Sequence, residues 1–202
     1  VIMAAGMGSR YGGLKQIDPV GAHGEKIIDY SLFDARRAGF KKALFIIKEE
    51  RLPDFQEAVF QKVSQYMEVE WVFQRLEDVP QGVEISEGRQ KPWGTGPATL
   101  AAARLLEYTP YAVITADAFY GREAFEKIYQ FLKNAQDGAK LDFAMVGYYV
   151  NNTVTDNGSV PLGVLQVEVG MLQSVTHRTH PAKRPQRTSY TPDRHGPWTP
   201  PP

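Results

Sequence analysis

Apolar, β-branched runs alternate along this chain with stretches whose apolar residues recur every three or four positions. VIMAA (1–5) opens it as a short strand candidate. Ile28, Leu32 and Ala35 then share one helical face, and Gly39 is a natural stop for a helix over about 29–38. ALFII (43–47) has the length and branching of a buried strand. Pro53 sits where a first helical residue is favoured, and Phe55, Val59, Val63 and Tyr66 follow at helical spacing. VEWVFQ (69–74) predicts a third strand, whereas residues 75–93 are polar and carry no period. A helix is expected from near Pro97, capped by Thr95 or Gly96, and then a strand over YAVITAD (111–117). The next helix starts at about Arg122 and aligns Phe125, Ile128, Tyr129 and Leu132. DFAMVGYYV (142–150) predicts a fifth strand, and VLQVEVGMLQSV (164–175) a hairpin turning at Val169–Gly170.

Strand–helix alternation of this kind predicts an α/β fold: a three-layer, Rossmann-like sandwich with a mostly parallel central sheet covered on both faces. A small β-hairpin region follows near the C-terminus. In such sheets ligands bind beyond the carboxyl ends of the strands. The informative positions are therefore those just after strands: residues 6–15, Gln74 onward, and Asp117.

Composition narrows the chemistry. The 202 residues suffice for one domain with a proper core, and their formal net charge is zero, so nothing draws the whole chain to nucleic acid or membrane. The absence of cysteine excludes disulfides, zinc thiolates and cysteine nucleophiles. No apolar run approaches the roughly 20 residues of a membrane span, and no secretory leader is visible, so the expected home is cytoplasmic. The charge is unevenly placed. Residues 177–202 hold five Lys/Arg against one acid and seven of the 14 prolines. The expected organisation is thus a body over 1–178 and an irregular Pro/Arg-rich tail over 179–202.

Three constellations carry chemistry. In the first, Gly6, Gly8, Gly12 and Gly13 crowd behind the first strand with Arg10 and Lys15. The dinucleotide fingerprint fails, because Tyr11 takes its third glycine place, and no GK[ST] exists for a P-loop. What remains is a glycine loop whose amides can approach a phosphate, with a guanidinium and an ammonium beside it. A solvated turn is the competing reading. In the second, KPWGTGPATLAAA (91–103), a helix start presents free N–H groups that favour an anion or a carbonyl-rich base edge. In the third, TADAFYG (115–121), Asp117 ends a strand, where a carboxylate commonly binds magnesium next to substrate phosphates or simply caps a turn. His23, His177, His180 and His195 are scattered and form no i,i+4 pair.

These residues resemble a known family. AAGMGSRYGGLK is similar to the signature of the nucleotidyltransferases that load sugar phosphates and related alcohols onto nucleotides: A-A-G-x-G-[ST]-R, a short spacer, then a lysine. Gln74, GTGPA (94–98), ADAFYG (116–121) and Gly163 within GVLQVEVGMLQSVTHRT follow in the family's order, over about residues 1–180. The sequence looks closest to the bacterial sugar-1-phosphate branch. The resemblance implies that Ala4, Ala5, Gly6, Gly8 and Ser9 meet the nucleotide, and that Arg10 and Lys15 hold the triphosphate and stabilise charge on the α-phosphate. It implies that Gln74, Gly94 and Thr95 read the base edge, that Asp117 binds Mg²⁺, and that Gly163 offers its backbone to the sugar. The implied partners are a nucleoside triphosphate and a sugar-1-phosphate, with no nucleic acid and no membrane.

The sequence also departs from the pattern. Ala118 stands where the family often has a second acid or amide, and His177 where a sugar-holding glutamate is usual. The spacing from Gln74 to Gly94 is longer than in compact members. A second metal carboxylate normally lies further along than this chain runs. Three rivals therefore stay open: a cytidylyl- or guanylyltransferase acting on a non-sugar phosphate, a nucleotide-binding module impaired in catalysis, and a basic tail that binds nucleic acid.

Overall fold

The computed structural model describes residues 1–6, 16–79, 82–89, 93–107, 109–136, 138–139, 141–153, 162–178, 182–184 and 187–189. The chain divides into two units, Val1–Ala144 and Met145–Pro202.

The first unit is built on four parallel strands: β1 (Ile2–Met3), β2 (Lys42–Ile47), β3 (Glu68–Phe73) and β4 (Ile114–Thr115). Their spatial order is β3-β2-β1-β4, and every pair is parallel. Alternation along β2 explains why two layers of helix are needed. Ala43, Phe45 and Ile47 face one way and join Ile28, Leu32, Phe55, Val59, Phe60 and Val63 in one core. Leu44 and Ile46 face the other way and pack with Ala98 and Ala102. Helix α1 (Ile27–Ala38) and the helical run after β2 therefore cover one face, and α4 (Thr95–Leu106) covers the other. The expected three-layer α/β sandwich is the observed one.

The helical run contains α2 (Leu52–Phe55), a π-helical segment (Gln56–Phe60) and α3 (Gln61–Val63), with Pro53 in the first turn as predicted. Phe55, Val59 and Val63 are spaced by four, which at 3.6 residues per turn would drift by roughly 40° per step. The wider π turn absorbs that drift and turns Phe60 inward too, where its ring lies 4.9 Å from Phe45 and stacks on Trp71 at 5.2 Å. Helix α1 ends at Gly39 (φ 119°), whose N–H bonds back to Ala35 and Arg36. Helix α5 (Arg122–Asn134) packs through buried Phe125 and through Tyr129, which meets Phe40 edge-on at 5.2 Å.

Four expectations need correction. Residues 142–150 form no strand: they make no ladder with any described strand, and Phe143 and Tyr149 are each 85% exposed. An apolar run is a strand only when a neighbour takes its hydrogen bonds. The strand expected over 111–117 is confined to Ile114–Thr115. Helix α4 starts at Thr95 with Gly94 as its cap residue, two positions ahead of Pro97. Within the tail expected to be irregular, β7 (Ala182–Arg184) and β8 (Arg187–Ser189) pair antiparallel.

The second unit's main feature is the hairpin of β5 (Leu162–Glu168) and β6 (Met171–Arg178). Its turn is Val169–Gly170, as the sequence predicts, with φ of 48° and 76°. Two consecutive positive φ values give the mirror-image turn whose twist suits a hairpin.

Candidate active site

The strand order reverses at β1: the chain steps outward to β2 and β3, then returns to lay β4 on the other side. The carboxyl ends of β1 and β4 flank that reversal, where a crevice opens in open α/β sheets. The ladder fixes what meets there. Met3 pairs with Thr115, the Ala116 N–H donates to the Met3 carbonyl at 3.1 Å, and the Ala4 N–H donates to Ile46 at 2.9 Å. Ala4 and Ala5 are buried, Gly6 emerges at the surface, and half-buried Asp117 follows Ala116 on the neighbouring strand. The structure thus brings the start of the glycine-rich segment beside Asp117. Gly8, Ser9, Arg10 and Lys15 lie outside the described residues.

The loop carrying Asp117 is held from three sides. The Thr115 amide points away from β1, and the Tyr120 hydroxyl accepts from it at 2.9 Å while lying 3.2 Å from the Thr115 hydroxyl. Buried Ser31 of α1 donates to the Ala118 carbonyl at 3.4 Å. Phe119 meets Tyr30 of α1 edge-on at 6.4 Å. The short strand and its return are therefore fixed by side chains rather than by a further strand among the described residues.

On the other flank, Gln74 leaves β3 with its N–H on the Ile47 carbonyl at 2.9 Å. Its side-chain Nε2 donates to the Trp93 carbonyl at 3.0 Å, next to the Gly94 cap. The Trp93 indole N–H donates to Leu76 at 2.7 Å, and the Arg89 guanidinium stacks on the indole at 3.8 Å. Gln74, Gly94 and Thr95, which the sequence puts far apart, are thereby neighbours. The first turn of α4 has no side-chain cap and no acidic residue. Its free N–H groups leave a site of positive character at this end of the sheet.

Gly163 lies in the second unit, opposite His177 across the β5–β6 ladder. The two positions singled out in that segment are cross-strand partners. A Cβ on Gly163 would come within 3.2 Å of Val175, so the ladder is tight there.

Among the described residues, no group of three His, Asp or Glu side chains is placed to hold a metal ion. One carboxylate nevertheless fits Mg²⁺, which takes one or two protein carboxylates and completes its shell with phosphate oxygens and water. Nor is any described helix long and apolar enough to cross a membrane.

Sequence reasoning missed Gln16, Ser31, Trp93 and Tyr120. Trp93 sits inside the quoted KPWGTG stretch and could have been marked as an indole donor within an otherwise polar segment. Gln16 and Ser31 each bond to backbone remote in sequence, and Tyr120 bonds back to Thr115 five residues away; no periodicity announces such bonds.

Residues 1–172 match the family described as Nucleotidyl transferase. No curated protein matches the chain. Solved structures similar to it include the following two. One is UDP-glucose pyrophosphorylase complexed with UDP-glucose, at 18% identity and TM-score 0.47, covering 66% of this chain and 52% of that one. The other is Rv0371c from Mycobacterium tuberculosis H37Rv, at 19% identity and TM-score 0.42, covering 66% and 59%. The chain thus spans between half and two thirds of the solved structures it resembles.

Proposed function

The chain belongs to the nucleotidyl transferase family, and from that premise we propose that it joins a nucleoside triphosphate to a sugar-1-phosphate, releasing pyrophosphate. The observation that carries this reading is the convergence at the reversal point. The segment leading into the glycine loop leaves β1 while Asp117 leaves β4, one ladder step apart. In this reading, that pairing puts the carboxylate that would hold Mg²⁺ beside the backbone that would meet the phosphates.

In this reading a sugar-phosphate oxygen attacks the α-phosphorus in line. The new O–P bond forms as the bond to the β-phosphate oxygen breaks, and the electron pair leaves with pyrophosphate. The attacking phosphate is already ionised at pH 7, so the protein supplies no general base. Its work is alignment and neutralisation of crowded negative charge. Asp117 would hold Mg²⁺, which when bound would neutralise charge on the phosphates. Arg10 grips phosphate oxygens with two donors, and Lys15 adds a compact charge near the α-phosphate. The family resemblance assigns the base edge to Gln74, Gly94 and Thr95, and the sugar to Gly163.

The test is Mg²⁺-dependent pyrophosphate exchange with each of the five common triphosphates, followed by a panel of sugar-1-phosphates. Exchange restricted to one nucleotide supports the enzyme, and acceptance of a sugar-1-phosphate supports the finer assignment. Nucleotide binding without exchange favours the impaired module that Ala118 and His177 suggest. Acceptance of only a non-sugar phosphate favours the cytidylyl- or guanylyltransferase rival. In the active case, Lys15→Ala and Arg10→Ala each lower turnover by about 3 kcal/mol, roughly a hundredfold or more. Near-normal turnover in either variant removes that residue from the mechanism.

A further inference from the structure

Trp93 has no role in the reading above, yet both its backbone and its side chain are engaged. Its carbonyl accepts from Gln74 Nε2 at 3.0 Å, and its indole N–H donates to the Leu76 carbonyl at 2.7 Å. Leu76 lies two positions after Gln74, so the three residues close a small ring of contacts just beyond β3. The Arg89 guanidinium lies over the indole at 3.8 Å. The ring is thus held at its edge and on its face, and with it the carbonyl that Gln74 meets.

That contact decides which way the Gln74 amide is turned. A primary amide has a donor end and an acceptor end of nearly the same shape, and a carbonyl accepts only from the donor end. A flip would set Oε1 against the Trp93 oxygen, two acceptors with no proton between them. Oε1 itself accepts from no described residue. The acceptor end is therefore the one left for a ligand.

Resting on the reading of Gln74 as a base-reading residue, we propose that Trp93 is a positioning residue for base selection. It fixes the Gln74 amide before nucleotide arrives, with the oxygen presented to a hydrogen of the base edge. An amide free to turn satisfies a donor or an acceptor equally well and discriminates poorly. A fixed one is left unpaired by the wrong edge, and that penalty is what separates one base from another.

The experiment is calorimetric titration of the full chain with each of the five common triphosphates in Mg²⁺, using wild type, Trp93→Phe, Gln74→Leu and the double variant, with thermal melts to establish folding. Trp93→Phe keeps an aromatic ring and removes the indole donor. The affinity ratio between the tightest and the weakest triphosphate is expected to fall by about fivefold. In the Gln74→Leu background the same substitution should leave the ratio unchanged, because Trp93 acts through that amide. A merely structural role would lower all five affinities together, with or without Gln74. If wild type binds no triphosphate, the functional reading fails and takes the proposal with it. If wild type binds all five alike, if folded Trp93→Phe keeps the wild-type ratio, or if the ratio falls equally without Gln74, the role of Trp93 alone is overturned. Should Trp93→Phe not fold, Gln74→Glu decides. Its ionised carboxylate cannot donate to the Trp93 carbonyl and its protonated form can, so its base ratio should rise as pH falls from 8 to 5, and a flat ratio overturns the proposal.

Discussion

Strand β2 and the β5–β6 hairpin are both rich in branched apolar residues, but burial separates them. Residues 43–47 of β2 are all fully enclosed, whereas Met171, Leu172 and Val175 of β6 stand open to solvent. Each face of β2 meets a helix, so its side chains gain burial on both sides. The hairpin has a partner strand, and its register rests on the turn and the ladder. Apolar composition marks a strand in both places, but only in the first does it mark a core.

That contrast can be broken most sharply at Phe45. Phe45→Ala empties a site between Phe55 and Phe60 and should cost about 4 kcal/mol in urea unfolding. Val175→Ala, on the exposed strand, should change the same transition by under ~0.5 kcal/mol. Equal losses at the two sites would mean the hairpin is as tightly enclosed as the sheet.

The second effect concerns glycines with positive φ in both regions. At Gly39 an added Cβ would also fall 2.5 Å from the Tyr129 ring, while at Gly170 it would meet nothing. Gly39→Ala is expected to cost roughly 3 kcal/mol, from strain plus displacement of Tyr129, and Gly170→Ala about 1 kcal/mol, from strain alone. Thermal unfolding ranks them, and a larger loss at Gly170 would reverse the assignment.

The smallest effect sharpens the comparison. Val169 is a branched residue held at φ 48° and 97% exposed, so it gains nothing from burial to offset its backbone. Val169→Asn should stabilise the hairpin by about 1 kcal/mol, read as slower amide exchange along residues 162–178 while the sheet is unaffected. Unchanged exchange there would show that the turn does not limit the hairpin.

The same contrast explains what was legible in the sequence. Strand β2 emerged because burial leaves a compositional mark, β3 because branched and aromatic residues crowd it, and α1 because its stripe ends at a left-handed glycine. Residues 142–150 carry the composition of a buried strand without a ladder, which composition does not report. The π segment was hidden because spacing by four reads as helix whether or not one turn is widened. At the candidate site, Asp117 and Gln74 were marked out because each follows a strand. Gln16 and Tyr120 were not, because each acts through a side-chain bond to backbone that leaves no periodic mark.

The paired bonds at the neck of the segment after β3 have a last consequence. Gln74 reaches forward to Trp93 and Trp93 reaches back to Leu76, so the chain leaves and re-enters at a clasped point. The two bonds hold the point of departure beside the point of return. This makes the stretch a cassette: residues can be gained or lost within it without shifting Gln74 relative to Gly94. The long interval that set this sequence apart from compact relatives is thereby reconciled with an undisturbed fold.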